Sequence, residues 1–393
     1  MIGEFHQRTL HLTILVVRIF RNNIFNPFGL CQGDFCFLIV FSLFLSGCAA
    51  DLKKTTAEEF KKTIHGEAQG TTWTITYYDI QERDFTHQVD SILVRIDSSI
   101  STYLPGSLID IWNKSDEGSK VDALFLEMLV ESWRVYHATN GAFDPTVKPL
   151  VSYWGFGPEH FEHPETIDLT AIDSLIELIG FDSLRLIHNE TELTLEALAN
   201  RELEVDSMFL SKPNAKMQLD FNAIGQGWSV DKVAQFLKSQ GLEIYFVEIG
   251  GELYAGHQKP DGSLWRFGVD KPESTLENRS LEAIVNLRNR GLATSGSYRK
   301  FYEKDGMRYS HTIDPFNGKP VDHNLLSATV FSSTAAEADG MATAFMVMGK
   351  DSIIRFLEEK AYLHNYVFLI YDSAGTNRTY ASPQIRKLIE HGD

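Results

Sequence analysis

The segment Tyr309-Ser310-His311-Thr312-Ile313-Asp314-Pro315 is followed, after a short spacer, by Ala338-Asp339-Gly340-Met341-Ala342-Thr343-Ala344. Asp339 and Thr343 are four apart, so on a helix they share one face. A carboxylate and a hydroxyl without soft ligands favour magnesium or calcium over zinc. His311 titrates by type near neutrality and is a candidate general base. A capped helix and a turn-bound histidine would account for either segment taken alone.

Four further clusters have residue choices that core packing does not demand. Gly66-Glu67-Ala68-Gln69-Gly70-Thr71-Thr72 lets backbone amides approach a ligand oxygen, although an ordinary turn explains it as well. Ser101-Thr102-Tyr103-Leu104-Pro105-Gly106-Ser107 offers an aromatic face beside a Pro-Gly turn, or a packed loop tyrosine. In Gly141-Ala142-Phe143-Asp144-Pro145-Thr146, Asp before Pro fixes an extended backbone and leaves a carboxylate for a polar ligand. Asp220-Phe221-Asn222-Ala223-Ile224-Gly225-Gln226-Gly227 leads into a helix whose N-terminus suits an anion, and the carbonyls beside Asp220 suit a hard cation. The last is neither a GxGxxG fingerprint nor a Walker loop, so neither nucleotide fold follows.

The elements that must position these residues are legible in outline. Alternation predicts a strand over Thr71–Tyr78, and apolar spacing predicts helices over 85–100 and 122–139. A short helix is expected over 173–179, and two strands within 184–219 around Asn200-Arg201-Glu202. A helix over 227–240 precedes a buried strand at 244–249, with strands at 264–269 and 281–287. A helix over 337–349 and a last strand at 366–371 complete the pattern. Hairpins interspersed with helices favour an α+β body over a doubly wound one.

The 393 residues carry 36 Lys and Arg against 53 Asp and Glu, a net charge of −17. With no basic face visible to neutralise phosphates, the balance argues against a nucleic-acid binder. The three cysteines are Cys31, Cys36 and Cys48, so the body has neither a disulfide framework nor a cysteine zinc site. Phe35 to Leu45 is an uncharged apolar run, too short for a bilayer of about 30 Å but suited to a signal peptide. It ends in Leu45-Ser46-Gly47-Cys48-Ala49, which resembles a bacterial lipobox, and residues 51–62 then form a charged tether or short helix.

In order along the chain, these clusters resemble the ApbE family, the bacterial FAD:protein FMN transferases. The resemblance runs through Gln69-Gly70-Thr71-Thr72, Ser101-Thr102-Tyr103, Gly141 to Val147, Asp220 to Gly227, Val247-Glu248-Ile249-Gly250-Gly251-Glu252, Ala293-Thr294-Ser295-Gly296, Ser310 to Pro315 and Glu337 to Ala344. It implies an α+β fold of mixed and antiparallel sheets with packed helices, related to the T-fold. The implied division is a lipoprotein signal peptide over 1–47, a tether over 48–64 and one flavin-transferase domain over 65–385, with Cys48 lipidated.

It further implies that FMN passes from FAD to a threonine hydroxyl of a target protein, releasing AMP. In that scheme Tyr103 stacks on the flavin, and Ala142, Phe143 and Asp144 line the FAD site. Asp220 and Ile313 hold other parts of the dinucleotide, and Gln69 and Gln226 complete the set. The Ala223 carbonyl, Asp339 and Thr343 hold Mg2+ or Ca2+ against the pyrophosphate. His311, with Asp314 nearby, deprotonates the acceptor. Family members often carry Met, Lys and Asp where Gln69, Gln226 and Ala342 stand. The alternatives are an FAD pyrophosphatase that uses water and a flavin-binding lipoprotein without activity. The implied location is a membrane surface facing the periplasm or exterior.

Overall fold

A computed structural model of the chain describes residues 60–157, 163–200, 207–272, 280–298, 300–361 and 366–391. The expected signal peptide, Cys48 and tether residues 48–59 lie outside the described residues.

The centre is an eight-stranded sheet. Its order is Lys61–Ala68, Thr71–Tyr78, Tyr245–Ile249, Glu252–Ala255, Arg290–Gly296, Leu325–Ser332, Tyr366–Asp372, Asn377–Ala381. Every neighbouring pair in it is antiparallel. Alternation fixes which face each side chain takes. Trp73, Ile75, Val247 and Ile249 join the core beneath helices Thr86–Ile100, Ala123–Ala138, Gly225–Ser239 and Ala335–Met348. Leu253, Ala255 and Leu292 point the other way, onto a three-stranded sheet of Trp265–Asp270, Leu281–Leu287 and Ile389–His391. The α+β class expected from the sequence is the one observed.

Helix Ala335–Met348 is the central one and is buried on nearly every side, as a helix without a polar face must be. Its N-terminus is fixed from outside. Asp231 on helix Gly225–Ser239 accepts the amides of Ala335 at 2.9 Å and Ala336 at 2.8 Å. Burial pushes the Asp231 pKa up to about 7, against the lowering effect of these two hydrogen bonds.

Several elements differ from the sequence expectation. The hairpin within 184–219 does not turn at Asn200. It turns at Asn189-Glu190, both in left-handed backbone, between Arg185–His188 and Thr191–Thr194. Such a two-residue turn needs positive φ at both centres, and asparagine is among the residues that tolerate it. Helix Leu169–Ile176 starts earlier than expected because Asp168 accepts the amides of Thr170 and Ala171. Lys61 and Lys62 belong to an edge strand rather than a tether, and Tyr366–Asp372 is followed by two more strands.

Candidate active site

The loop before helix Gly225–Ser239 gathers three of the expected segments. The Asp220 amide donates to the Pro145 carbonyl at 2.8 Å, and Asp220 Oδ1 accepts the Asn222 amide at 2.7 Å. Asn222 Nδ2 donates to Thr102 Oγ1 at 3.2 Å. Tyr103, Asp144, Asp220 and Ala223 are therefore carried by one hydrogen-bonded loop cluster. Tyr103 is 64% exposed there, an aromatic face available to a planar ligand.

Ala142 and Phe143 are buried. Asp144 also turns inward, where its Oδ1 accepts the Thr146 amide at 2.8 Å and the Thr146 hydroxyl at 2.6 Å. Burial outweighs those bonds and pushes its pKa up to about 6. This carboxylate shapes its own turn, and Thr146 Oγ1 in turn accepts the Gly180 amide at 2.9 Å.

A second group surrounds the start of helix Gly225–Ser239, whose N-cap Ile224 supplies no side-chain cap. The expected ligand Ala223 immediately precedes that cap. Gln226 lies against the glycine turn of Gly250-Gly251, since a Cβ on Gly250 would sit 3.0 Å from Gln226 Nε2. Gln69 Nε2 donates to Ser229 Oγ at 2.8 Å and Asp97 Oδ1 at 3.2 Å, so it pins the first hairpin turn to two helices. Asp339 is only 6% exposed, and its Oδ2 accepts the Gly227 amide at 3.0 Å. Thr343 Oγ1, one helical turn on, stands 3.2 Å from Ser295 Oγ. Burial raises the Asp339 pKa.

This close approach depends on Gly227. A Cβ there would lie 2.3 Å from the Ala335 carbonyl oxygen and 2.7 Å from Asp339 Cβ. Gly227→Ala must push the two helices apart, and overpacking of this kind costs about 3 kcal/mol. A clear fall in the urea unfolding midpoint is expected. An unchanged midpoint would show that the helices are not this close.

A third group carries His311. Its Nδ1 is 3.0 Å from the Lys300 carbonyl oxygen. A carbonyl only accepts, so Nδ1 carries the proton and Nε2 keeps its lone pair. Burial lowers the His311 pKa, which keeps the ring neutral. The hairpin Phe301–Lys304 to Met307–Ser310 is braced by a run of rings: His163 on Tyr302 at 3.7 Å, Tyr302 on Tyr309 at 5.0 Å, Tyr309 on Trp154 at 5.7 Å. Arg308 Nη2 donates to the Ser297 carbonyl at 2.7 Å. That ties the hairpin to the end of the strand whose Ser295 meets Thr343.

Asp314 does not orient His311. Its Oδ1 accepts the Phe316 amide at 2.8 Å and its Oδ2 accepts Asn317 Nδ2 at 2.6 Å. Both oxygens are engaged in a turn that displays Phe316, 64% exposed, beside Gly141. Ile313 is buried and bridges to Pro320.

The sequence did not single out Phe316, Ser295, the Lys300 carbonyl or Glu252 as functional. Glu252 is buried in the central sheet, and its Oε2 has no hydrogen-bond partner among the described residues. It lay in the Val247 to Glu252 motif with no role assigned, and the double glycine before it turns Glu252 back beside Ile249. The donor set around Asp339 fits a hard divalent cation. It consists of oxygens, and a cation would compensate the buried carboxylate when that group is ionised.

The ApbE family model matches residues 69–367. The chain is 35% identical over 315 residues to the FAD:protein FMN transferase of Vibrio cholerae, covering 79% of this chain and 86% of the relative. To the protein of that name from Haemophilus influenzae it is 32% identical over 363 residues, covering 90% and 96%. The fold matches the solved flavin transferase ApbE from Vibrio cholerae with a TM-score of 0.68 and 31% identity, over 84% of this chain and 99% of that one. The apo Pseudomonas stutzeri flavinyl transferase ApbE matches with a TM-score of 0.70 and 31% identity, over 84% and 96%. Sequence and fold agree that the chain belongs to the ApbE family.

Proposed function

We propose that the chain transfers FMN from FAD to a threonine hydroxyl of a target protein and releases AMP. The observation that carries this reading is the contact of His311 Nδ1 with the Lys300 carbonyl oxygen. That contact assigns the proton of the neutral ring to Nδ1 and leaves Nε2 with its lone pair, just after the hairpin tied to the strand whose Ser295 meets Thr343. A neutral imidazole in that state is equipped to take a hydroxyl proton. The names of the relatives support FAD as donor and a protein as acceptor.

FAD is the ligand assigned to the loop cluster. Tyr103 would offer the flavin its exposed ring, and the first amides of helix Gly225–Ser239, whose N-cap Ile224 supplies no side-chain cap, would suit the pyrophosphate. The net charge of −17 gives an anionic dinucleotide no help, so the site needs a cation. Asp339, Thr343 and the Ala223 carbonyl would hold Mg2+ or Ca2+. When bound, that ion neutralises charge on the pyrophosphate and on the departing AMP. His311 Nε2 takes the threonine proton as the oxygen attacks the FMN phosphorus. The new P–O bond forms as the bond to AMP breaks, leaving a phosphoester-linked flavin.

The same reading places the enzyme outside the cytoplasmic membrane, anchored through a lipid on Cys48. The apolar run Phe35 to Leu45 and the following Leu45-Ser46-Gly47-Cys48 support this.

AMP release measured by chromatography, with FAD and Mg2+ and with or without a threonine-containing acceptor peptide, tests the reaction. Release that depends on the peptide is expected. Equal release without it would replace transfer by hydrolysis, and intact FAD in both cases would leave only a binding protein.

A further inference from the structure

We infer that Glu252 is a second carboxylate of the cation pocket, acting with Asp339. This rests on the cation reading above and extends it to a residue outside the Ala223, Asp339 and Thr343 set. The placement follows from the sheet. Glu252 pairs with Ile249 across the Gly250-Gly251 turn, and residues directly opposite in an antiparallel pair share a face. Ile249 and Val247 lie in the core beneath the helices, whereas Leu253 and Ala255 lie in the core on the other side. Glu252 therefore points toward helices Gly225–Ser239 and Ala335–Met348, the side that holds Asp339.

The chemistry of that position is unusual for a structural residue. Glu252 is 9% exposed, and its Oε2 makes no hydrogen bond among the described residues. A buried carboxylate with an open oxygen is costly unless its charge is neutralised. Nothing among the described residues supplies a basic side chain hydrogen-bonded to either carboxylate; the recorded partner of Asp339 is the Gly227 amide. Two inward-facing carboxylates on facing elements, one with an open oxygen, form a charge deficit that a divalent cation fills. A glutamine of the same shape would remove the charge and keep the packing.

Mn2+ serves as the probe, its free concentration read by electron paramagnetic resonance on the purified chain without FAD. Wild type is expected to bind one Mn2+ that Mg2+ displaces, and Asp339→Asn is expected to lose it. Glu252→Gln is expected to weaken binding at least tenfold, with a metal-free melting temperature equal to or above that of wild type. An unchanged Mn2+ affinity in Glu252→Gln would overturn the inference and leave the Asp339 site standing. Absence of binding by wild type would overturn the cation reading and this inference with it. Should Glu252→Gln fail to fold, Glu252→Asp withdraws the charge by one methylene; weaker binding supports the role, and unchanged binding overturns it.

Discussion

Asp339→Asn is expected to lower kcat by about 10³ or more if Asp339 holds the proposed cation, because a metal ion at a transferring phosphoryl group supplies several kcal/mol of transition-state stabilisation. Asparagine keeps the size of the side chain and can still accept the Gly227 amide, which bonds Asp339 Oδ2 at 3.0 Å. The helix contact at Gly227 therefore survives, and only the charge is lost. Since burial raises the Asp339 pKa, the neutral amide is easier to bury than the carboxylate in the absence of metal. The urea midpoint of the metal-free variant is expected to match or exceed that of wild type, while activity does not return at high Mg2+. Steady-state kinetics across a Mg2+ titration, beside an unfolding curve, check both halves. Wild-type kcat at saturating Mg2+ would remove Asp339 from the cation site.

His311→Gln is expected to lower kcat by about 100-fold or more, the usual contribution of a positioned general base, with little change in KM for FAD. Glutamine can still donate to the Lys300 carbonyl but has no ring nitrogen to take a proton. The pH dependence carries the sign. The base form of His311 exists above its pKa, and burial lowers that pKa from the ordinary 6.5. Activity of wild type is therefore expected to hold through neutrality and to fall only as the pH drops below 6.5. The variant loses that acid limb. Equal loss of FAD affinity and turnover, with the limb intact, would give His311 a structural role instead.

The parts of the fold legible in the sequence are those with a one-sided apolar period. Strand Thr71–Tyr78 shows it through Trp73, Ile75 and Tyr77, all fully buried. Strand Lys61–Ala68 buries only Ile64, so as a sheet edge it reads like a charged tether. The small antiparallel sheet was mis-turned because its hairpin rests on the backbone of Asn189-Glu190 rather than on a glycine. In the candidate site, the residue types at 311, 339 and 343 were readable because few structural demands call for them together. The bonding was not. Asp144 and Asp314 look like free carboxylates in sequence, yet both cap their own turns. Their short-range partners, Thr146 and Phe316 with Asn317, follow two or three residues on, which is the signature of a turn-capping aspartate. Glu252 was hidden for the opposite reason. Its side chain faces helices Gly225–Ser239 and Ala335–Met348, a tertiary placement that no local pattern announces.

Transfer to a hydroxyl is the central claim, and the mass of the acceptor tests it most directly. Wild-type protein is incubated with FAD, Mg2+ and a threonine-containing acceptor peptide, and intact peptide mass is measured alongside AMP. Each AMP released is expected to match one peptide heavier by an FMN phosphoester, and replacing the threonine by alanine is expected to prevent the gain. Unmodified peptide accompanied by free FMN and AMP in equal amounts would contradict transfer and assign the site to hydrolysis.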